Sequence, residues 1–151
     1  MLNSYRFREF WTVAAPPEAA WQLVADPTTY PRWWSEFVEV ERRNDLDGVG
    51  ARVVVHVKAA LPYHMRFELE ATQRDEPRVA EVRVRGDLNG MMRWTLTPAA
   101  EGTWLRFEEE VRTGKRLLDL MAPVAKSLFA WNHGIMMRHG EAGLRRELEA
   151  R

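Results

Sequence analysis

Between Phe37 and Arg112 the chain alternates apolar and polar residues in short runs, the period of strands with one dry and one wet face. Val38 and Val40 alternate with Glu39 and Glu41 before the turn Asn44-Asp45-Leu46-Asp47-Gly48. Ala51, Val53, Val55 and Val57 then oppose Arg52, His56 and Lys58, and Met65, Phe67, Leu69 and Ala71 oppose His64, Arg66, Glu68 and Glu70. Beyond Asp75-Glu76-Pro77 the dry positions are Val82 and Val84, beyond Gly86-Asp87 they are Leu88, Met92, Trp94 and Leu96, and beyond Gly102 they are Leu105, Phe107 and Val111. Six such strands joined by tight turns predict an antiparallel meander. A seventh opens the chain, with Phe7, Trp11 and Val13 on one face and Arg6, Arg8 and Thr12 on the other. Glu9 falls on its apolar side and Phe10 on its polar side.

Two helical patterns complete the order. Pro16-Pro17-Glu18 starts a helix through Trp21, Leu23 and Val24, because proline is tolerated in a first turn and an acid suits its positive end. Asp26-Pro27 caps a second short helix, broken again at Pro31 and ending in Trp33-Trp34. From Lys115 to about Glu149 a helix spanning roughly 50 Å is predicted. Leu117, Met121, Val124, Leu128, Trp131, Ile135 and His139 share one stripe on it, flanked by Leu120 and Met136. Pro123 kinks this helix or starts its main segment. Gly140 and Gly143 mark a soft point, beyond which Leu144 and Leu148 turn to another side and leave a tail that packs elsewhere or on the surface. The long stripe needs a partner, and a twisted seven-stranded sheet curls around such a helix with a cavity left between them. The expected class is α+β.

With 151 residues and no linker or repeat, the chain reads as one domain over residues 1–151. Basic and acidic residues both number 22, which gives no electrostatic reason to expect nucleic acid or an anionic membrane as main partner. No run reaches the length of a membrane span or resembles a signal peptide, so a cytoplasmic protein is expected. There are no cysteines, no Gly-rich phosphate loop and no Gly-x-Ser-x-Gly elbow, and no cofactor is expected. No metal is expected either. His133 and His139 are six apart on a helix, about 240° around, and His56 and His64 fall on the wet face beside Lys58 and Arg66. Seven tryptophans and seven methionines exceed what a core of this size needs.

Ala15-Pro16-Pro17-Glu18-Ala19-Ala20-Trp21-Gln22-Leu23-Val24-Ala25-Asp26, followed by Tyr30-Pro31-Arg32-Trp33-Trp34, resembles the opening signature of the START-like (SRPBCC) superfamily, in particular its polyketide cyclase/dehydrase and lipid-transport branch. Gly48-Val49-Gly50, Gly102-Thr103 and the closing Gly140-Glu141-Ala142-Gly143-Leu144 look like it too, so the resemblance covers essentially the whole chain. It implies the helix-grip fold and a hydrophobic cavity between sheet and C-terminal helix. It does not select one activity, because members include lipid carriers, aromatase/cyclases, coenzyme Q-binding proteins and ribosome-associated toxins.

Strand parity and the helical stripe give the residues expected to line that cavity. They are Val55, Tyr63, Met65, Phe67, Met92, Trp94 and Phe107 from the sheet, Leu128, Trp131, Asn132, Ile135 and His139 from the helix, and Trp34 near one mouth. Tyr63, Asn132 and His139 are the polar groups among them, as suits a small-molecule pocket. Candidates for acid/base chemistry are Glu9 and Glu109, inward on what the fold makes neighbouring strands, and His139. The expected function is binding of a hydrophobic or aromatic small molecule, lipid-, polyketide- or quinone-like, by a carrier or sensor. The alternatives are a polyketide aromatase/cyclase or dehydratase and a protein-interaction module presenting Phe10 and Trp104.

Overall fold

The computed structural model describes residues 4–59, 64–114 and 125–151. The alternation becomes seven strands, β1 (Ser4–Val13), β2 (Phe37–Arg42), β3 (Arg52–Lys58), β4 (His64–Asp75), β5 (Val79–Gly86), β6 (Leu88–Ala99) and β7 (Gly102–Thr113). Between β1 and β2 lie α1 (Pro17–Val24), a 3-10 turn (Pro27–Thr29) and α2 (Tyr30–Trp33), and α3 (Ala125–Glu149) closes the chain. The strands form one antiparallel sheet in the order β1-β7-β6-β5-β4-β3-β2. From β2 to β7 each strand pairs with its sequence neighbour, whereas β1 joins the far edge beside β7, with Ser4 opposite Arg112 and Val13 opposite Thr103.

β7 shows how the pattern sets the faces. Thr103, Leu105, Phe107, Glu109 and Val111 are buried, while Trp104, Arg106, Glu110 and Arg112 are exposed. A carboxylate therefore stands on the dry face between Phe107 and Val111. In β2 a register shift between Phe37 and Glu39 corrects the alternation. It buries Phe37, turns Val38 out to solvent and leaves Val40 half-buried, because an extra residue in one strand reverses the parity on either side of it. The connector follows its caps. The Asp26 carboxylate accepts from the Thr28 amide at 3.1 Å, and Pro31 sits in the first turn of α2, where it starts that turn rather than breaking it.

α3 departs from expectation in two ways. Its predicted beginning, with Leu117, Leu120, Met121, Pro123 and Val124, lies outside the described residues. Within them, the buried face is not the predicted stripe: Trp131 is 54% exposed, His139 is exposed, and Leu128 and Ile135 are only half-buried. The helix instead buries Phe129, Asn132, His133, Met137, Gly140, Gly143 and Leu144, a face rotated by more than a third of a turn at about 100° per residue. Side-chain hydropathy favours the stripe, but two glycines, an asparagine and a histidine mark the side that docks.

The glycines are contact points rather than a soft point, and the helix runs unbroken to Glu149. A Cβ on Gly140 would lie 2.5 Å from Trp34 Cε2 and 2.7 Å from Trp11 Cη2, and one on Gly143 would lie 1.7 Å from the Trp33 carbonyl oxygen. The tail they carry is core: Leu144 is fully buried and Leu148 packs against the same cluster. No helix among the described residues is long and apolar enough to cross a membrane.

Candidate functional site

The connector α1 to α2 fits against the inner sheet face through aromatic rings. Trp11, Tyr30, Trp33, Trp34, Phe37 and Trp94 form a chain of contacts with ring centroids 4.8–5.4 Å apart. Three hydrogen bonds fix it. The buried Tyr30 hydroxyl donates to the Val24 carbonyl at 2.6 Å and accepts from Trp94 Nε1 at 3.2 Å. Trp34 Nε1 donates to the Met136 carbonyl at 2.8 Å, which ties the connector to α3. Burial holds the Tyr30 phenol well above its ordinary pKa, outweighing the downward pull of the Trp94 hydrogen bond. Tyr30→Phe would strand a buried carbonyl and a buried indole N–H. A loss of about 2 kcal/mol in denaturant unfolding is expected.

Above these rings, between sheet and α3, lies a cavity of about 220 Å³. Its body is lined by Val57, Met65, Phe67, Leu69, Ala80, Val82, Met92, Trp94 and Phe107 from the sheet, by Trp34 and Phe37 from the connector, and by Phe129, Asn132, His133, Met136 and Met137 from α3. One end reaches the surface among Asp26, Thr28, Arg42, Asp47, Arg52, Arg74 and Glu76. There Arg74 stacks over the Trp21 ring at 5.5 Å, and Arg42 pairs with Asp47 at 3.2 Å.

At the interior end, Glu109 and His133 meet. Glu109 is 3% and His133 6% exposed, and the imidazole Nε2 lies 3.0 Å from the carboxylate Oε1. Phe7 stacks on the ring at 3.8 Å with the planes 9° apart. Among the described residues the second ring nitrogen, Nδ1, is buried without a hydrogen-bond partner, as is the Tyr5 hydroxyl. Tyr5 packs on Phe129 at 4.3 Å, and burial pushes its phenol upward.

The expected ligand-binding residues divide accordingly. Trp34, Met65, Phe67, Met92, Trp94, Phe107 and Asn132 line the cavity. Val55 is fully buried on the same face but not on the cavity wall, and Tyr63 lies outside the described residues. Leu128, Trp131, Ile135 and His139 face away from it, for the rotation already given. His139 instead bonds Glu36 in the α2–β2 loop through Nδ1 at 2.6 Å. Of the acid/base candidates, Glu109 is on the wall, while Glu9 is a half-buried inward residue of β1 that does not reach it. Hydropathy missed Phe129, His133 and Met137. The signal was present in their spacing, since Phe129, His133, Met137, Gly140 and Leu144 follow one another at helical intervals. Among the described residues no group of three or more acids and histidines is placed to hold a metal ion.

A sheet gripping a long helix over an apolar cavity defines a helix-grip protein. The chain belongs to the family described as polyketide cyclase / dehydrase and lipid transport, which it matches over residues 5–149. In structure it is similar to the Zhui aromatase/cyclase of Streptomyces sp. R1128, with a TM-score of 0.80 and 18% identity, covering 97% of this chain and 94% of that one. It is similar to the di-domain aromatase/cyclase BexL of the BE-7585A biosynthetic pathway, with a TM-score of 0.79 and 14% identity, covering 100% of this chain and 52% of that one. It is also similar to Ara h 8.0201, with a TM-score of 0.71 and 13% identity, covering 98% and 99%. At these identities the likeness shows the fold. No curated protein matches the chain in sequence. The family supports hydrophobic ligand binding or a cyclase role without choosing between them.

Proposed function

We propose that this protein binds a hydrophobic or aromatic small molecule, lipid-, polyketide- or quinone-like, inside the cavity, as a carrier or sensor. The observation that carries this reading is the volume of about 220 Å³ walled largely by aromatic and aliphatic side chains, since protein interiors are ordinarily close-packed. Trp34, Met65, Phe67, Met92, Trp94, Phe107 and Asn132 are the contacts it assigns. Native mass spectrometry of freshly purified protein should show a bound mass that is released on denaturation. Val82→Phe, which puts a ring into the cavity, should weaken binding at least tenfold while leaving the fold intact. A clean apo mass together with no saturable change in tryptophan emission on titrating fatty acids, quinones and polycyclic phenols would sink the reading.

One observation favours a second reading, an enzyme of the aromatase/cyclase kind. A buried imidazole oriented by a carboxylate can move a proton to or from a bound molecule, and Glu109 and His133 provide that pair in the cavity wall. Turnover lost in His133→Gln with ligand affinity retained would favour it over the carrier.

A further inference from the structure

The body of the cavity is lined by apolar side chains apart from Tyr30, Asn132 and the pair Glu109 and His133. A buried polar pair in such a wall is poor value for stability, because desolvating both groups offsets most of what their contact gains. Alternation along β7 would accept an apolar residue at 109 as readily as at 107 or 111. The pair also leaves hydrogen-bonding capacity unused. Among the described residues His133 Nδ1 has no hydrogen-bond partner.

The chemistry of that capacity can be worked out. An N–H buried without an acceptor is rarer and costlier than a lone pair buried without a donor, so the unpartnered Nδ1 is the unprotonated nitrogen. The ring proton then sits on Nε2 and is donated to Glu109 across the 3.0 Å contact. The unfilled position, Nδ1, is therefore an acceptor. Stacking on Phe7 keeps the ring in plane, and the carboxylate bond fixes its tautomer.

We propose that the Glu109–His133 pair is the specificity-determining anchor of the cavity, and that it selects apolar ligands carrying a hydroxyl, phenolic or alcoholic, whose O–H donates to this pair. The assignment rests on the cavity being a ligand site. It deepens that reading by naming which apolar molecules are held: hydroxylated ones, in preference to their ethers and parent hydrocarbons.

The test compares 1-naphthol with 1-methoxynaphthalene, which share a ring system but not the donor, by equilibrium dialysis against the wild-type protein. An advantage for the naphthol of about tenfold is expected, the worth of one neutral hydrogen bond inside a protein. In Glu109→Leu/His133→Phe, which keeps the volume and the stack on Phe7, both probes should bind with equal affinity. In protein carrying 15N-histidine, naphthol should move the resonance of the unprotonated His133 nitrogen and the ether should not, a change that a merely structural pair would not show. Equal affinity of the two probes for the wild type, or an advantage that persists in the double variant, overturns the anchor and leaves cavity binding standing. Failure of both probes to bind the wild type removes the cavity reading itself, and the anchor with it.

Discussion

Gly143→Ala should lower the stability of this protein by about 3 kcal/mol or more, despite replacing the worst ordinary helix former with the best. In an exposed helix the change would gain roughly 1 kcal/mol. Here the new methyl would stand 1.7 Å from the Trp33 carbonyl oxygen, about half a van der Waals contact, and the obstacle is backbone. Relief requires α3 to move bodily away from α2, which loosens the burial of Leu144 and the Trp34 bond to Met136 as well. Overpacking of this kind typically costs about 1–3 kcal/mol and more when the neighbour cannot yield, so it outweighs the propensity gain. At this chain length the midpoint of thermal unfolding should fall by roughly 6–12 °C. Gly140→Ala should do less harm, because its obstacles are the edges of Trp34 and Trp11, which can tilt. Circular dichroism melts of the two variants test the order, and a Gly143→Ala protein melting at or above the wild-type temperature would contradict the docking geometry.

The second large effect comes from breaking the Glu109–His133 pair on one side only. His133→Phe leaves the Glu109 carboxylate buried without the group that bonds it, and an unfolding deficit of about 3–5 kcal/mol is expected. Adding Glu109→Leu should recover most of that deficit, since neither polar group then remains to be desolvated and the ring still stacks on Phe7. Chemical denaturation of the single and double variants reads the difference directly. If the double variant is as unstable as the single, the pair holds the fold together, and its place in the wall needs no ligand to explain it.

The sheet was legible in the sequence because apolar side chains dominate the inward positions of the meander and polar or charged ones the outward positions. One shifted register, at Phe37 to Glu39, was enough to misplace Val38. The helix was harder. Leu128, Trp131 and Ile135 make the more hydrophobic stripe, yet what docks is decided by closeness of approach, and only Gly140 and Gly143 let the backbone come within reach of Trp33 and Trp34. Glu109 could be read from parity alone. His133 could not, because its partner is a strand residue 24 positions earlier that comes near only in the folded chain. Tyr30 likewise gives no local signal of its role in the connector, since that role depends on Trp94, which is adjacent only after folding.

The placement of β1 beside β7 also orders events in time. Each strand from β3 onward can pair with the strand made just before it, in hairpins that close over a few residues. β1 is made before the rest of this sheet, and its partner, Gly102–Thr113, follows only about ninety residues later in the chain. During that interval Phe7, Trp11 and Val13 have no sheet to join. The N-terminal strand is thus the last to be paired, and it carries the ring that will stack on His133.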